Sequence, residues 1–106
     1  MDLVFNYSKI KKIAKEVKKV YTVRSLVEIV QYIFMDEDIM TLFIREGADL
    51  KSNSEADTYI GDAMMGGTDY FEIQQEIVRA LIAANFYKKE LQEMLNSLTV
   101  STEVEK

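Results

Sequence analysis

Apolar residues along this chain recur mostly at steps of three and four, the spacing that keeps side chains on one face of a helix. Ile10, Ile13, Val17 and Val20 follow that rule and predict a helix from about Ser8 to Val20. Its other face is almost all lysine, and Asn6 or Ser8 can cap its start. A second helix is expected from Leu26 to about Met35, opened by Ser25 and Glu28 at capping-box spacing. Residues 26–34 are apolar nearly all round, which predicts a place at the centre of the core. Their β-branched side chains leave a strand reading open. Asp36, Glu37 and Asp38 put negative charge where a third helix begins. That helix turns Ile39, Met40, Phe43 and Ile44 inward, and Gly47 is placed to end it in the left-handed conformation.

Residues 48–54 read as a loop. Ser54 can cap a short helix over 55–65, with Tyr59, Ala63 and Met64 on one side and Gly66-Gly67 as its stop. Asp69 and Glu72 then open the longest helix, Tyr70 to Leu98, which would span about 43 Å if continuous. Asn85 is the residue at which it can break or bend. Within it Tyr70, Ile73, Ile77, Ala80, Ala84, Tyr87, Leu91, Met94 and Leu98 step by three and four, as in a coiled-coil seam. Phe71, Val78, Leu81 and Ile82 widen the first half of the stripe and mark it as core. Residues 3–7 are a candidate short strand, and 99–106 a frayed tail. The expectation is an all-α, bundle-like domain of four to five helices over residues 1–98. Its core would be built on Ile13, Val17, Leu26, Ile29, Val30, Ile33, Phe43, Ile77 and Leu81.

Composition restricts what such a domain can do. The 106 residues include no cysteine, histidine or proline. Thiolate and imidazole chemistry are therefore excluded, and a structural zinc site has none of its usual ligands. Acid–base work would fall to carboxylates, lysines or tyrosines, and no usual catalytic signature holds them. The chain is expected to be no enzyme and to need no metal or cofactor. Three adjacent acids on a helix point in different directions, so Asp36-Glu37-Asp38 reads as helix-start charge rather than a metal site. Met64-Met65-Gly66-Gly67 is no phosphate loop, since no Gly-Lys-Ser/Thr follows. The two methionines suit an adaptable contact patch. No apolar run is long enough for a membrane span, and the N-terminus lacks the pattern of a secretory signal. A cytoplasmic location is expected.

Charge is uneven. Residues 1–24 hold seven basic and two acidic residues, while residues 25–106 hold six and sixteen, giving a net −5. The basic residues concentrate on the first helix as Lys9, Lys11, Lys12, Lys15, Lys18 and Lys19. They can be a solvated face, or can meet an acidic protein surface or a phosphate backbone. No aromatic residue interleaves them, and no Arg or Asn is placed to read bases, so nucleic acid is the least favoured partner. The basic segment of one copy can also meet the acidic remainder of another, which biases assembly head to tail. A second candidate surface is the narrow stripe Tyr87, Leu91, Met94, Leu95 and Leu98, flanked by Lys88, Lys89, Glu90 and Glu93. Such a stripe suits a helix that docks in a groove or pairs with its own copy. Leu91 and Leu95 are accordingly expected in an intermolecular contact.

Two segments carry a resemblance. Phe5-Asn6-Tyr7-Ser8-Lys9-Ile10-Lys11-Lys12-Ile13 is an aromatic strand end running into a lysine-rich helix. The stretch from Phe71 through Ile77, Leu81 and Ala84 to Phe86-Tyr87-Lys88-Lys89 is a helix closing on an aromatic pair and lysines. Together they are similar to the small tail assembly chaperones of long-tailed bacteriophages. The full N-terminal hairpin of those proteins is missing here. The resemblance implies a helical protein that self-associates and coats an extended tail-length protein, working in the host cytoplasm and without catalytic residues. The alternative is a small helical regulator or inhibitor that binds one folded host protein.

Overall fold

A computed structural model describes the backbone of residues 2–104 and the side chains through residue 98. Six α-helices and one 3-10 helix make up the described chain: α1 (Tyr7–Val17), the 3-10 helix Leu26–Gln31, α2 (Tyr32–Met35), α3 (Glu37–Gly47), α4 (Asn53–Met65), α5 (Tyr70–Ala83) and α6 (Lys88–Val104). The described residues include no strand.

Residues 2–6 are extended without being a strand. Side chains alternate along it, with Phe5 buried, Leu3 half-buried and Val4 exposed. The backbone partner is not a strand, however. The Val4 N–H donates to the Gly47 carbonyl at the end of α3, 2.9 Å away. The Phe5 ring lies edge-on to Phe43 at 6.0 Å between centroids and covers Gly47. A β-carbon at Gly47 would sit 2.7 Å from Phe5 Cζ. Gly47 is therefore a packing glycine inside α3, not the left-handed terminator expected. That role falls two residues later to Asp49, at φ 56°.

Asn6 caps α1, its Oδ1 accepting from the Lys9 N–H at 2.9 Å. Ile10, Ile13, Ala14 and Val17 are buried. The helix stops at Val17, short of the expected Val20, which is exposed. The chain turns there because the Tyr21 N–H closes back on the Val17 carbonyl and the Tyr21 ring stacks on Tyr32, 4.1 Å between centroids.

Residues 26–35, expected as one α-helix, begin as a 3-10 helix and become α-helical only at Tyr32. Val27, Ile29 and Val30 are β-branched and weaken the α-helical preference of this run. Ile29, Val30 and Ile33 are buried, but Leu26 is only half-buried.

Helix α3 is the axis of the fold, with Ile39 through Ile44 buried in an unbroken run. Thr41 and Arg45 bond Asp57 and Asn53 of α4, so α4 runs antiparallel to α3. Phe43 and Gly47 meet Phe5 just ahead of α1, and at the far end of α1 Tyr21 reaches Asp36, so α1 is antiparallel too. Thr41 and Phe43 are two positions apart, about 200° around a helix. α1 and α4 thus flank α3 on opposite sides.

The expected long helix from Tyr70 to Leu98 is two helices. Ala84–Tyr87 redirect the chain, with Asn85 at φ 60° and Tyr87 at φ 43°. α6 packs back on α5. The stripe from Tyr70 onward is therefore two short core faces and not one seam. α6 continues through Val104. The side chains from Thr99 onward, residues 105–106 and the expected fraying of 99–106 lie outside what is described.

Candidate interaction faces

Two surfaces follow from this arrangement. The first is the lysine side of α1. Lys11, Lys12, Lys15 and Lys18, with Tyr7 and Ser8, line a shallow groove of about 700 Å³ whose floor includes Ala14 and, from the 3-10 helix, Leu26. Lys11 Nζ sits 5.4 Å from the Tyr7 ring centroid, a cation–π contact. Lys12, Lys15 and Lys18 have no ion-pair partner among the described residues. The other two lysines of the expected set are engaged. Lys9 pairs with Asp49 at 3.0 Å and donates to the Val4 carbonyl, tying α1 to the end of α3. Lys19 pairs with Glu16 at 3.1 Å. The sequence set of six lysines is thus a working set of four.

The second surface is acidic and lies on α4 and the adjoining ends of α3 and α5. α4 contains Glu55, Asp57 and Asp62 and no basic residue. Only Ala56 of its thirteen residues is buried. Ser54, Glu55, Thr58, Gly61, Asp62 and Met65 form its exposed outer face. Met65 is 90% exposed, the most open large apolar side chain described, and Met64 is 48% exposed. Where α4 meets α3, Glu37, Asp38 and Asp57 border a hollow of about 270 Å³ with Tyr70 on its rim. The Tyr70 hydroxyl is pushed up from its ordinary value by burial and then by the charge of Glu37. Met35, 70% exposed, stands on the same end of the molecule, in a hollow with Asp36–Asp38 and Tyr70.

Asp36 shows why its cluster reads as helix-start charge. Its Oδ1 accepts from the N–H groups of Asp38 at 2.9 Å and Ile39 at 3.2 Å, capping α3. Its Oδ2 accepts from the Tyr21 hydroxyl at 2.5 Å. The Tyr21 bond, aided by the two backbone donors, holds the Asp36 carboxyl below its ordinary value, and the same bond pushes the Tyr21 hydroxyl up. No group of three acidic side chains among the described residues converges on a metal-sized point. The Tyr21–Asp36–Tyr32 arrangement has no short-range sequence signal, because its members are up to fifteen residues apart.

The C-terminal stripe goes elsewhere. Leu91 and Leu95 are buried in the domain's own core, not set out for a partner. Met94 and Leu98 are half-buried, and Tyr87 is 40% exposed with its ring edge-on to Phe86 at 5.0 Å. The reason is the turn at Asn85: it folds α6 onto α5, so α6's apolar face completes the same core. Of the five stripe residues, Tyr87 is the one left on the surface.

No described helix is long and apolar enough to cross a membrane. Comparison with protein-family models, with curated proteins and with solved structures gives no match to this chain.

Proposed function

We propose that this chain works by contact, as a non-catalytic module that binds protein and assembles with copies of itself. The observation that supports this most directly is the pair of exposed faces of opposite charge on opposite sides of α3, each edged with apolar surface. A solvated surface that only keeps a protein dissolved mixes both signs. Here four lysines share one groove without a carboxylate, and three acids share one helix without a base.

The resemblance to phage tail assembly chaperones agrees with this reading. Its two segments fall on α1 with its lead-in and on α5 through the start of α6. In that form the module would coat an extended partner chain in the host cytoplasm. The regulator reading is favoured by a different observation, the exposed Met35, Met64 and Met65, because methionine surfaces adapt to a folded partner. Nucleic acid is disfavoured, since the acidic surface beyond α1 repels phosphate.

Light scattering on the purified chain separates the two protein-binding readings. Assembly predicts a mass that rises with concentration. A fixed monomer mass, together with a discrete complex with one folded protein captured on the immobilised chain and identified by mass spectrometry, would select the regulator.

A further inference from the structure

The geometry points to a specific self-contact: the lysine groove on α1 of one copy receives the outer face of α4 of the next. This rests on the reading of the chain as an assembly module and names the surface through which it assembles.

Spacing is the first argument. Lys11, Lys15 and Lys18 lie four and three positions apart, on one side of α1. Glu55 and Asp62 lie seven positions apart on α4, the same interval as Lys11 to Lys18, or about 10 Å of helix. A helix laid along the groove therefore brings each acid to a lysine without distortion.

Charge is the second. No carboxylate lines the groove, and α4 has no basic residue. Glu55 Oε2 already accepts from the Lys51 backbone N–H at 2.8 Å, which fixes the side chain against the start of α4.

Shape and apolar surface are the third. The groove floor of Tyr7, Ala14 and Leu26 is apolar between its lysines. Thr58 and Met65 share the outer face of α4 with the two acids, and Gly61 beside them has no heavy atom within 4 Å of where a β-carbon would stand. A glycine there lets the backbone approach a facing helix closely. Helix-in-groove docking uses such a combination of apolar anchor and charged border.

Because α1 and α4 lie on opposite sides of α3, the contact uses a different patch on each partner. Each joined pair then keeps one free groove at one end and one free helix at the other, so growth is head to tail and continues unless a ring closes.

The test uses two full-length variants. Lys11→Glu, Lys15→Glu, Lys18→Glu reverses the groove. Thr58→Lys, Asp62→Lys reverses the outer face of α4 while leaving the Glu55–Lys51 bond in place. Both are read by light scattering at low salt, with circular dichroism to verify the helices. The parent is expected to associate, and to lose roughly tenfold in association between about 50 and 500 mM salt. Each variant alone is expected to be monomeric. Their equimolar mixture is expected to regain association, since the intact groove of one variant meets the intact helix of the other and the two reversed faces are again opposite in charge. Variants that still associate as the parent does would overturn this contact and leave the assembly reading standing. Monomeric variants whose mixture is also monomeric would do the same. A parent that stays monomeric at every concentration would overturn both, whether or not its lysines then bind an oligonucleotide. Should either variant lose its helical signal, Lys15→Gln, Lys18→Gln and Asp62→Asn replace it. Each is then expected to weaken parent-type association several-fold, and no weakening would overturn the contact.

Discussion

Glycines 47 and 61 are both helical, and they should respond to the same substitution in opposite ways. At Gly61 the space beyond the backbone is open, so Gly61→Ala should stabilise the monomer by about 0.5–1 kcal/mol through the lower entropy of the unfolded chain. At Gly47 the new methyl meets the buried Phe5 ring, itself held against Phe43. Overpacking of that kind costs roughly 1–3 kcal/mol, which outweighs the helix-propensity gain. Urea denaturation of the two variants should move the midpoint up for Gly61→Ala and down for Gly47→Ala. The Tyr21–Asp36 bond makes a prediction about pH. The folded-state value of Asp36 is lowered, so its stabilising contribution is present above the ordinary carboxylate range and is lost as pH falls through the lowered value. Glu28, which accepts from the Arg24 and Ser25 backbone N–H groups, adds to the same acid loss. The folded-state value of Tyr21 is raised, so its contribution is full below about pH 10 and is lost as pH rises through the raised value. Tyr21→Phe should therefore lower the melting temperature near neutrality and flatten its fall in alkali. An unchanged alkaline slope would show that the bond contributes nothing.

Helix ends decided most of the architecture. α3, α4 and α5 each close with the same pair of backbone bonds: Leu50 to Arg45 and Asp49 to Glu46, Thr68 to Ala63 and Gly67 to Met64, Phe86 to Leu81 and Asn85 to Ile82. The left-handed residue is Asp49, Gly67 and Asn85 in turn. Only one of the three is glycine, so the usual terminator was legible at Gly66-Gly67 and misplaced at Gly47. Asp and Asn tolerate the left-handed region well enough to end a helix, but their side chains do not announce it. That single ambiguity at Asn85 changed the reading of the C-terminal third. With a continuous helix, Leu91 and Leu95 project beyond the core; with the turn, they belong to it. The helical periodicity itself was legible outside α4, and eight of the nine core residues named from it are buried, Leu26 being the exception. What the pattern could not distinguish was the 3-10 from the α form over 26–31, since both put apolar residues inward at a step of three. Two tests follow. Asn85→Ala should cost about 1–2 kcal/mol, because an ordinary side chain is strained at positive φ. Leu91→Ala should cost roughly 2–5 kcal/mol as a core truncation. A Leu91→Ala variant with unchanged thermal stability would return that residue to the surface.

At the scale of the molecule the notable property is polarity. One basic segment is laid along one side of a central helix, and an acidic helix with a single buried residue along the other. The charge division was legible in the sequence, and so was the lysine set. Their opposition across α3 was not, because it depends on the lead-in to α1 and on α4 meeting residues two positions apart on α3. α4 also gave a weak signal of its own, as its apolar residues are few and its cap is Ser52 rather than Ser54. Such a surface ties association to salt, since exposed charges beyond about 8 Å are screened at physiological ionic strength. Sedimentation velocity of the parent chain at rising concentration, at low and at high salt, bears on this most directly. Sedimentation coefficients should increase with concentration at low salt and shift toward the monomer value at high salt. A single monomeric boundary at every concentration and both salt levels would contradict it.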